Sequence, residues 1–164
     1  MSAGPDAGTL LAQLEHRGLT LAIAESLTGG LLIAEFVAVA GASAVIRGGV
    51  VAYATDVKHT VLGVDDTLLA EVGPVHPEVA RQMASAVRTV FALDGHPADV
   101  GIATTGVAGP GPQGTHPVGE AFIGIADASG ATAVRLELGG SREGIRRGVV
   151  SESLRALSDW IEML

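Results

Sequence analysis

Ser26, Lys58 and Tyr53 are the residues of this chain whose chemistry invites a reaction. Ser26 lies in Ala24-Glu25-Ser26-Leu27-Thr28-Gly29-Gly30, a polar, glycine-ended stretch between two apolar runs. A serine in such a corner can attack a carbonyl once a base removes its proton. No G-x-S-x-G context surrounds it and no histidine is an evident partner, so the base has to come from elsewhere. Lys58 is the chain's only lysine among ten basic residues, and Tyr53, five positions earlier, its only tyrosine. Arginine does not act as a base, whereas a desolvated lysine loses its proton near neutral pH, and Ser–Lys pairs are an established solution. Each residue also has a plainer reading. Ser26 and Thr28 are residue types that cap helices, and Lys58 could be a surface charge on a short helix.

The elements around these residues follow from periodicity. Leu19–Ala24 reads as a buried strand and Leu31 onward, to about Ala40, as a helix, so Ser26 sits on a strand-to-helix corner. A helix start offers unpaired N–H groups and partial positive charge, and Gly29 and Gly30 allow a ligand near the backbone. Asp6–Gly18 reads as an earlier helix, with Ser43 as the cap of a short turn. Gly48–Ala54 reads as a second strand, with a helix carrying Lys58 opening at Thr55 or Asp56. Asp65 or Asp66 caps a helix to Glu71. Pro77 suits the first turn of a longer helix, Glu78–Ala92. Ala98–Thr104 is a third strand, opening into the loop Thr105-Gly106-Val107-Ala108-Gly109-Pro110-Gly111-Pro112-Gln113-Gly114. Glu120–Ala126 and Ala131–Leu138 form a hairpin about Ser129-Gly130, and Ser141 caps a last helix from Arg142 to about Met163. Helices interleaved with apolar strands, then a late hairpin, predict a three-layer α/β fold with a mixed sheet, in one domain over 1–164.

Composition narrows the chemistry. The chain has 164 residues, 48% of them hydrophobic, and a formal charge of −8 with no extended basic cluster, which argues against nucleic acid as a partner. No cysteine is present, so disulfides and thiolate chemistry are excluded. His16, His59, His76, His96 and His116 are scattered without ligand spacing, and no metal is expected. Gly109 to Gly114 matches G-x-G-x-x-G in letters only. Two prolines remove donors from it and no helix follows, so no dinucleotide fingerprint is read there. No membrane span or basic leader is evident, and a cytoplasmic location is expected.

Taken together, these stretches resemble the C-terminal domain of the CinA family, the nicotinamide-nucleotide amidohydrolases (PncC). The family's A-E-S-C-T-G-G hallmark is similar to Ala24–Gly30. Its Val-Val-x-Tyr segment, with Lys five residues on and then Leu-Gly-Val, matches Val50-Val51-Ala52-Tyr53, Lys58 and Leu62-Gly63-Val64. Its S/T-G-I/V-A-G-P loop matches Thr105–Pro110, with Pro117-Val118-Gly119 following, and its G-[DS]-R element matches Gly140-Ser141-Arg142. The resemblance implies a three-layer α/β/α fold with a mixed, roughly five-stranded sheet, and hydrolysis of nicotinamide mononucleotide to nicotinate mononucleotide and ammonia, without metal or organic cofactor, by what is usually a homodimer. It makes Ser26, Lys58, Tyr53 and Thr105 the catalytic candidates. Thr28, Gly29, Gly30, Gly106, Ala108, Gly109 and Arg142 become candidates for binding substrate, with Arg142 on the phosphate. Longer members carry an additional nucleotide-pyrophosphatase-like domain, whose activity is not expected of this chain. Leu27 replaces the usual Cys, Asp56 lies in an altered segment, and His76 and Glu120 stand where Ser and Thr are common. These departures bear on substrate preference more than on reaction type. Two other readings are a silent nucleotide-binding assembly module and an amidase for a different small amide.

Overall fold

The strands with the least polar sequence lie at the centre of the sheet, where both faces are covered. In the computed structural model, which describes residues 4–164, β1 (Leu21–Glu25) is buried along its whole length. It is flanked by β2 (Ile46–Val51) and β3 (Val100–Gly106), both parallel to it. β4 (Glu120–Asp127) and β5 (Gly130–Glu137) continue the sheet antiparallel, as the expected hairpin. The strand order is β2-β1-β3-β4-β5. This is the three-layer α/β arrangement with a five-stranded mixed sheet that the sequence predicts.

The alternation of side chains along the strands decides what covers each face. Leu21, Ile23, Ile102, Ile123 and Ile125 pack against α1 (Ala7–His16), α2 (Leu31–Val37) and α6 (Arg142–Glu162). The opposite face is paved with Ala22, Ala24, Ala103 and Ala126, and receives α3 (Thr55–Leu62), α4 (Asp66–Val72) and α5 (Pro77–Val90). That face is kept flat for a reason. A Cβ at Gly101 would lie 2.0 Å from the Ala84 carbonyl oxygen, and one at Gly124 2.1 Å from that of Ala80. Backbone of α5 therefore rests directly on the sheet, at a distance only these residues permit.

Several boundaries and caps differ from expectation. Asp6 is the cap of α1 rather than part of it, accepting from Thr9 N at 2.9 Å. β2 begins at Ile46 and ends at Val51, because its register with β1 pairs Leu21 with Ile46 and Glu25 with Val51. Tyr53 thus lies beyond the strand. β3 starts at Val100 and runs to Gly106, two residues later than its apolar run predicts. Helix α2 stops at Val37, short of Ala40. Ser43 caps nothing: the short 3-10 turn Ala42–Ala44 follows Gly41 with no side-chain bond. The caps at Asp65, His76 and Ser141 do accept from the backbone of the helices they precede.

Candidate active site

A strand order in which β1 lies between β2 and β3 sends the chain to opposite sides after successive strands. In such sheets a crevice opens at the carboxyl ends of the central strands. Here a cleft of about 350 Å³ occupies that position, lined by Ser26, Leu27, Tyr53, Thr55, Lys58, Pro74, Val75, the loop from Thr105 to Gln113, and Arg142. Five separate stretches of chain meet there.

Ser26 follows β1 directly, and its N–H donates to the Thr104 carbonyl at 3.0 Å, which ties the nucleophile candidate to β3. Lys58 comes from the first turns of α3. Its Nζ lies 2.9 Å from Ser26 Oγ, 2.8 Å from the Ala52 carbonyl oxygen and 3.2 Å from that of Tyr53. The lysine is 1% exposed. Among the described residues it meets no carboxylate, and burial lowers its pKa from 10.5 to about 8. The amine is thus held between two carbonyl oxygens and the Ser26 hydroxyl. The surface-charge reading of Lys58 is overturned.

The capping reading of Ser26 and Thr28 is overturned as well. The cap position of α2 is Gly30, at φ 96, a left-handed conformation that favours glycine. Glu25, from the last position of β1, closes the helix start instead. Its carboxylate accepts from Gly30 and Leu32 N at 3.0 Å and from Ile33 N at 2.8 Å. The expected free N–H groups at that end are therefore occupied by the chain's own anion. Thr28 is fully buried and bonds through Oγ1 to Thr104 Oγ1 at 2.7 Å, and Gly29 and Gly30 do not line the cleft. Those three binding candidates shape the turn rather than the cavity wall. Also at the cleft, the N–H groups of Leu27 and Ala108 donate to no other described residue.

The other candidates fall at the cleft. Successive strand residues point to opposite faces, so Thr104 pins the nucleophile turn while Thr105 Oγ1 donates to the Pro74 carbonyl at 2.6 Å. Thr105 thus holds the segment leading into α5 against the cavity. Gly106, Ala108 and Gly109 form its wall; a Cβ on Gly106 would meet that of Ala121 at 2.5 Å. The Tyr53 side chain is exposed; its hydroxyl accepts from Arg142 NH2 at 3.1 Å, and its bond to the lysine is made by its carbonyl. Arg142, at the start of α6, also donates to the Gly109 carbonyl, spanning the rim from β2's end to the β3 loop. Behind that loop, buried Glu120 accepts from Arg135 Nε at 3.0 Å and contacts His116 Nδ1 at 2.6 Å. Thr104, Pro74 and Gln113 are thus residues at the site that motif spacing did not single out, and Glu25 stands inside the Ala24–Gly30 motif with no role assigned to it there. A carboxylate directly before Ser26 at the end of an apolar strand was the one available signal. Among the described residues no three His, Asp or Glu side chains gather as a metal site, and no helix is long and apolar enough to cross a membrane.

Comparison with known proteins gives this geometry a family. A CinA-like protein of Frankia casuarinae is 47% identical over 147 residues, covering 90% of this chain and 33% of that protein. A putative competence-damage inducible protein of Geobacillus kaustophilus is 47% identical over 137 residues, 83% of this chain and 32% of its own length. The chain spans about a third of the length of these curated relatives. Among solved structures, a competence-damaged protein (CinA) superfamily protein from Klebsiella pneumoniae superposes with a TM-score of 0.89 at 29% identity, covering 96% of this chain and 97% of that one. A competence/damage inducible protein from Agrobacterium tumefaciens gives 0.81 at 32% identity, covering 97% and 98%. The profile of the CinA C-terminal domain matches residues 6–161, a span that holds every strand of the sheet and both members of the Ser26–Lys58 pair, and the chain belongs to that family.

Proposed function

We propose that this chain hydrolyses the carboxamide of nicotinamide mononucleotide to nicotinate mononucleotide and ammonia, with Ser26 as nucleophile and Lys58 as base. One contact carries the reading: the 2.9 Å approach of a buried lysine, without a carboxylate partner, to the serine hydroxyl. Lys58 takes the Ser26 proton as Oγ bonds to the carboxamide carbon. The N–H groups of Leu27 and Ala108 receive the oxyanion, the residue after the nucleophile being a recurrent donor in such turns. Lys58 returns the proton to the departing nitrogen, the C–N bond breaks and ammonia leaves an acyl ester on Ser26. Lys58 then deprotonates a water that attacks the ester, releasing nicotinate mononucleotide and restoring the serine. Arg142 receives the phosphate at the rim, exchanging its present bonds to Tyr53 and Gly109 for a charge-assisted pair. Glu25 supports this choice, because it already fills the helix start that would otherwise compete for an anion.

The test is ammonia release from nicotinamide mononucleotide by the purified, chelator-treated chain. Ser26→Ala and Lys58→Ala are expected to lose about 10³-fold or more in turnover. Near-wild-type turnover in either variant overturns the pair. Arg142→Ala is expected to raise KM for the nucleotide and leave activity on the nucleoside unchanged; equal losses on both sink the phosphate assignment. Binding without ammonia release favours a silent module, and turnover confined to another amide in a substrate panel changes the substrate.

A further inference from the structure

Arg146 has no part in the chemistry above, yet it reaches the turn that carries Ser26 from the far end of the sequence. It sits one helical turn after Arg142 on α6. Its Nε donates to the Leu27 carbonyl at 2.9 Å and its NH2 to the Thr28 carbonyl at 2.8 Å. Most exposed arginines here pair with acids, as neighbouring Arg147 does with Glu143 at 3.0 Å. Among the described residues, Arg146 makes no ion pair. One edge of its guanidinium, Nε and NH2, is given to two consecutive main-chain oxygens.

A trans peptide unit is planar, with C=O and the next N–H on opposite sides. Holding the Leu27 carbonyl towards α6 turns the Thr28 N–H away from α6. Holding the Thr28 carbonyl does the same for Gly29 N–H, which donates to the Ser26 carbonyl at 3.1 Å. On the other side, Thr104 accepts from Ser26 N and bonds Thr28 Oγ1. The turn is thereby clamped between β3 and α6. The contact also needs space that only glycine leaves: a Cβ at Gly29, at φ 58, would stand 3.1 Å from Arg146 NH2.

We propose that Arg146 is a positioning residue for Ser26, fixing through the carbonyls of Leu27 and Thr28 the Leu27–Thr28 and Thr28–Gly29 peptide planes, the second and third after Ser26. The proposal rests on Ser26 being the nucleophile. A planar fork that satisfies two carbonyls at fixed separation is not reproduced by the single ammonium of lysine, so Arg146→Lys restores only part of the function. A displaced nucleophile lowers the rate of bond formation while leaving the rim that binds substrate in place.

The experiment compares Arg146→Met, Arg146→Lys and, as a control on an exposed neighbour, Arg147→Met. Three quantities are measured: kcat and KM on nicotinamide mononucleotide, the melting temperature, and the rate at which a fluorophosphonate labels Ser26. In labelling, Oγ bonds to phosphorus, the P–F bond breaks, fluoride leaves and the serine proton passes to Lys58. Arg146→Met is expected to lower kcat and the labelling rate together by about 10²-fold, with KM little changed. Arg146→Lys falls between it and the wild type, and Arg147→Met matches the wild type. Labelling at the wild-type rate by a folded Arg146→Met protein overturns the proposal, as does a rise in KM at unchanged kcat. If Arg146→Met does not fold, Arg146→Lys decides on the same readouts. Absence of turnover with slowed labelling in the variants removes the substrate assigned above and leaves Arg146 in its role. A wild type that is not labelled at Ser26 removes both.

Discussion

Lys58 carries opposite consequences for activity and for stability. Its pKa is about 10.5 in the unfolded chain and about 8 in the fold, with desolvation as the cause. Only the neutral amine can accept the Ser26 proton. The proposed activity therefore rises with pH and levels off above about pH 8, which a kcat/KM profile checks directly. The unfolded chain binds more protons between the two pKa values. Stability conferred at this position thus rises as pH climbs through that window, and below it the fold carries the full penalty, ~3 kcal/mol. Lys58→Met removes the penalty and also two hydrogen bonds to buried carbonyls, worth about 1–2 kcal/mol. The variant is expected to be inactive yet to melt about 3 °C higher at pH 7, with the gain shrinking by pH 10. A lower melting point at pH 7 would mean that the carbonyl bonds outweigh desolvation. Glu25 shows a contrasting use of a buried charge: three backbone donors at a helix start compensate its carboxylate, and it remains where it builds the turn.

At the level of elements, the site depends on how closely α5 lies on the sheet. Pro74 and Val75, which line the cleft, lead straight into that helix, and Thr105 bonds to the Pro74 carbonyl. The depth at which α5 seats therefore sets where this wall stands. Gly124→Ala places a methyl 2.1 Å from a helix carbonyl oxygen, which neither backbone can relieve without moving. The substitution is expected to cost about 2–3 kcal/mol and to lower the melting temperature by about 6 °C. It should also raise KM as the Pro74 wall shifts. A variant with unchanged melting temperature and kinetics would show that α5 has room that the packing denies. Beyond β4, β5 is an edge strand with alternating exposure, and it contributes Arg135 to the support of Glu120.

Across the whole molecule, the cleft draws on residues from Ser26 to Arg142, and a ligand that bridges them reports on all of these elements at once. With Ser26→Ala to prevent turnover, nicotinamide mononucleotide at a hundred times its Kd is expected to add about 2.7 kcal/mol, or roughly 5–10 °C in melting temperature. Arg142→Ala should lose most of that shift at the same ligand concentration. Absence of any shift with the nucleotide, alongside a shift with another carboxamide, would reassign the substrate while leaving the Ser26–Lys58 geometry intact.

The amino-acid sequence by itself determined the layer order, a helix cap at Asp65 or Asp66 and another at Ser141, the hairpin at Ser129-Gly130 and the candidacy of Ser26 and Lys58, while the family resemblance grouped Thr105 and Arg142 with them. Those features are local or periodic: a strand buried on both faces must be apolar, a helix must start with an acceptor, and a lone lysine in an arginine-rich chain stands out. What α2's start does was not legible, because its cap comes from a strand residue five positions before Gly30, and cap patterns look to the position next to the helix. The bond from Arg142 to the Tyr53 hydroxyl depends on where α6 begins relative to β2. Arg146 meets the Ser26 turn 119 residues away in the chain, and only the packing of α6 over β3 and β4, beside α2, brings them together. Desolvation of Lys58 is likewise a property of the closed sheet and its helices. Periodicity marks which faces are buried, but the distance from one buried atom to the next is decided when the layers close.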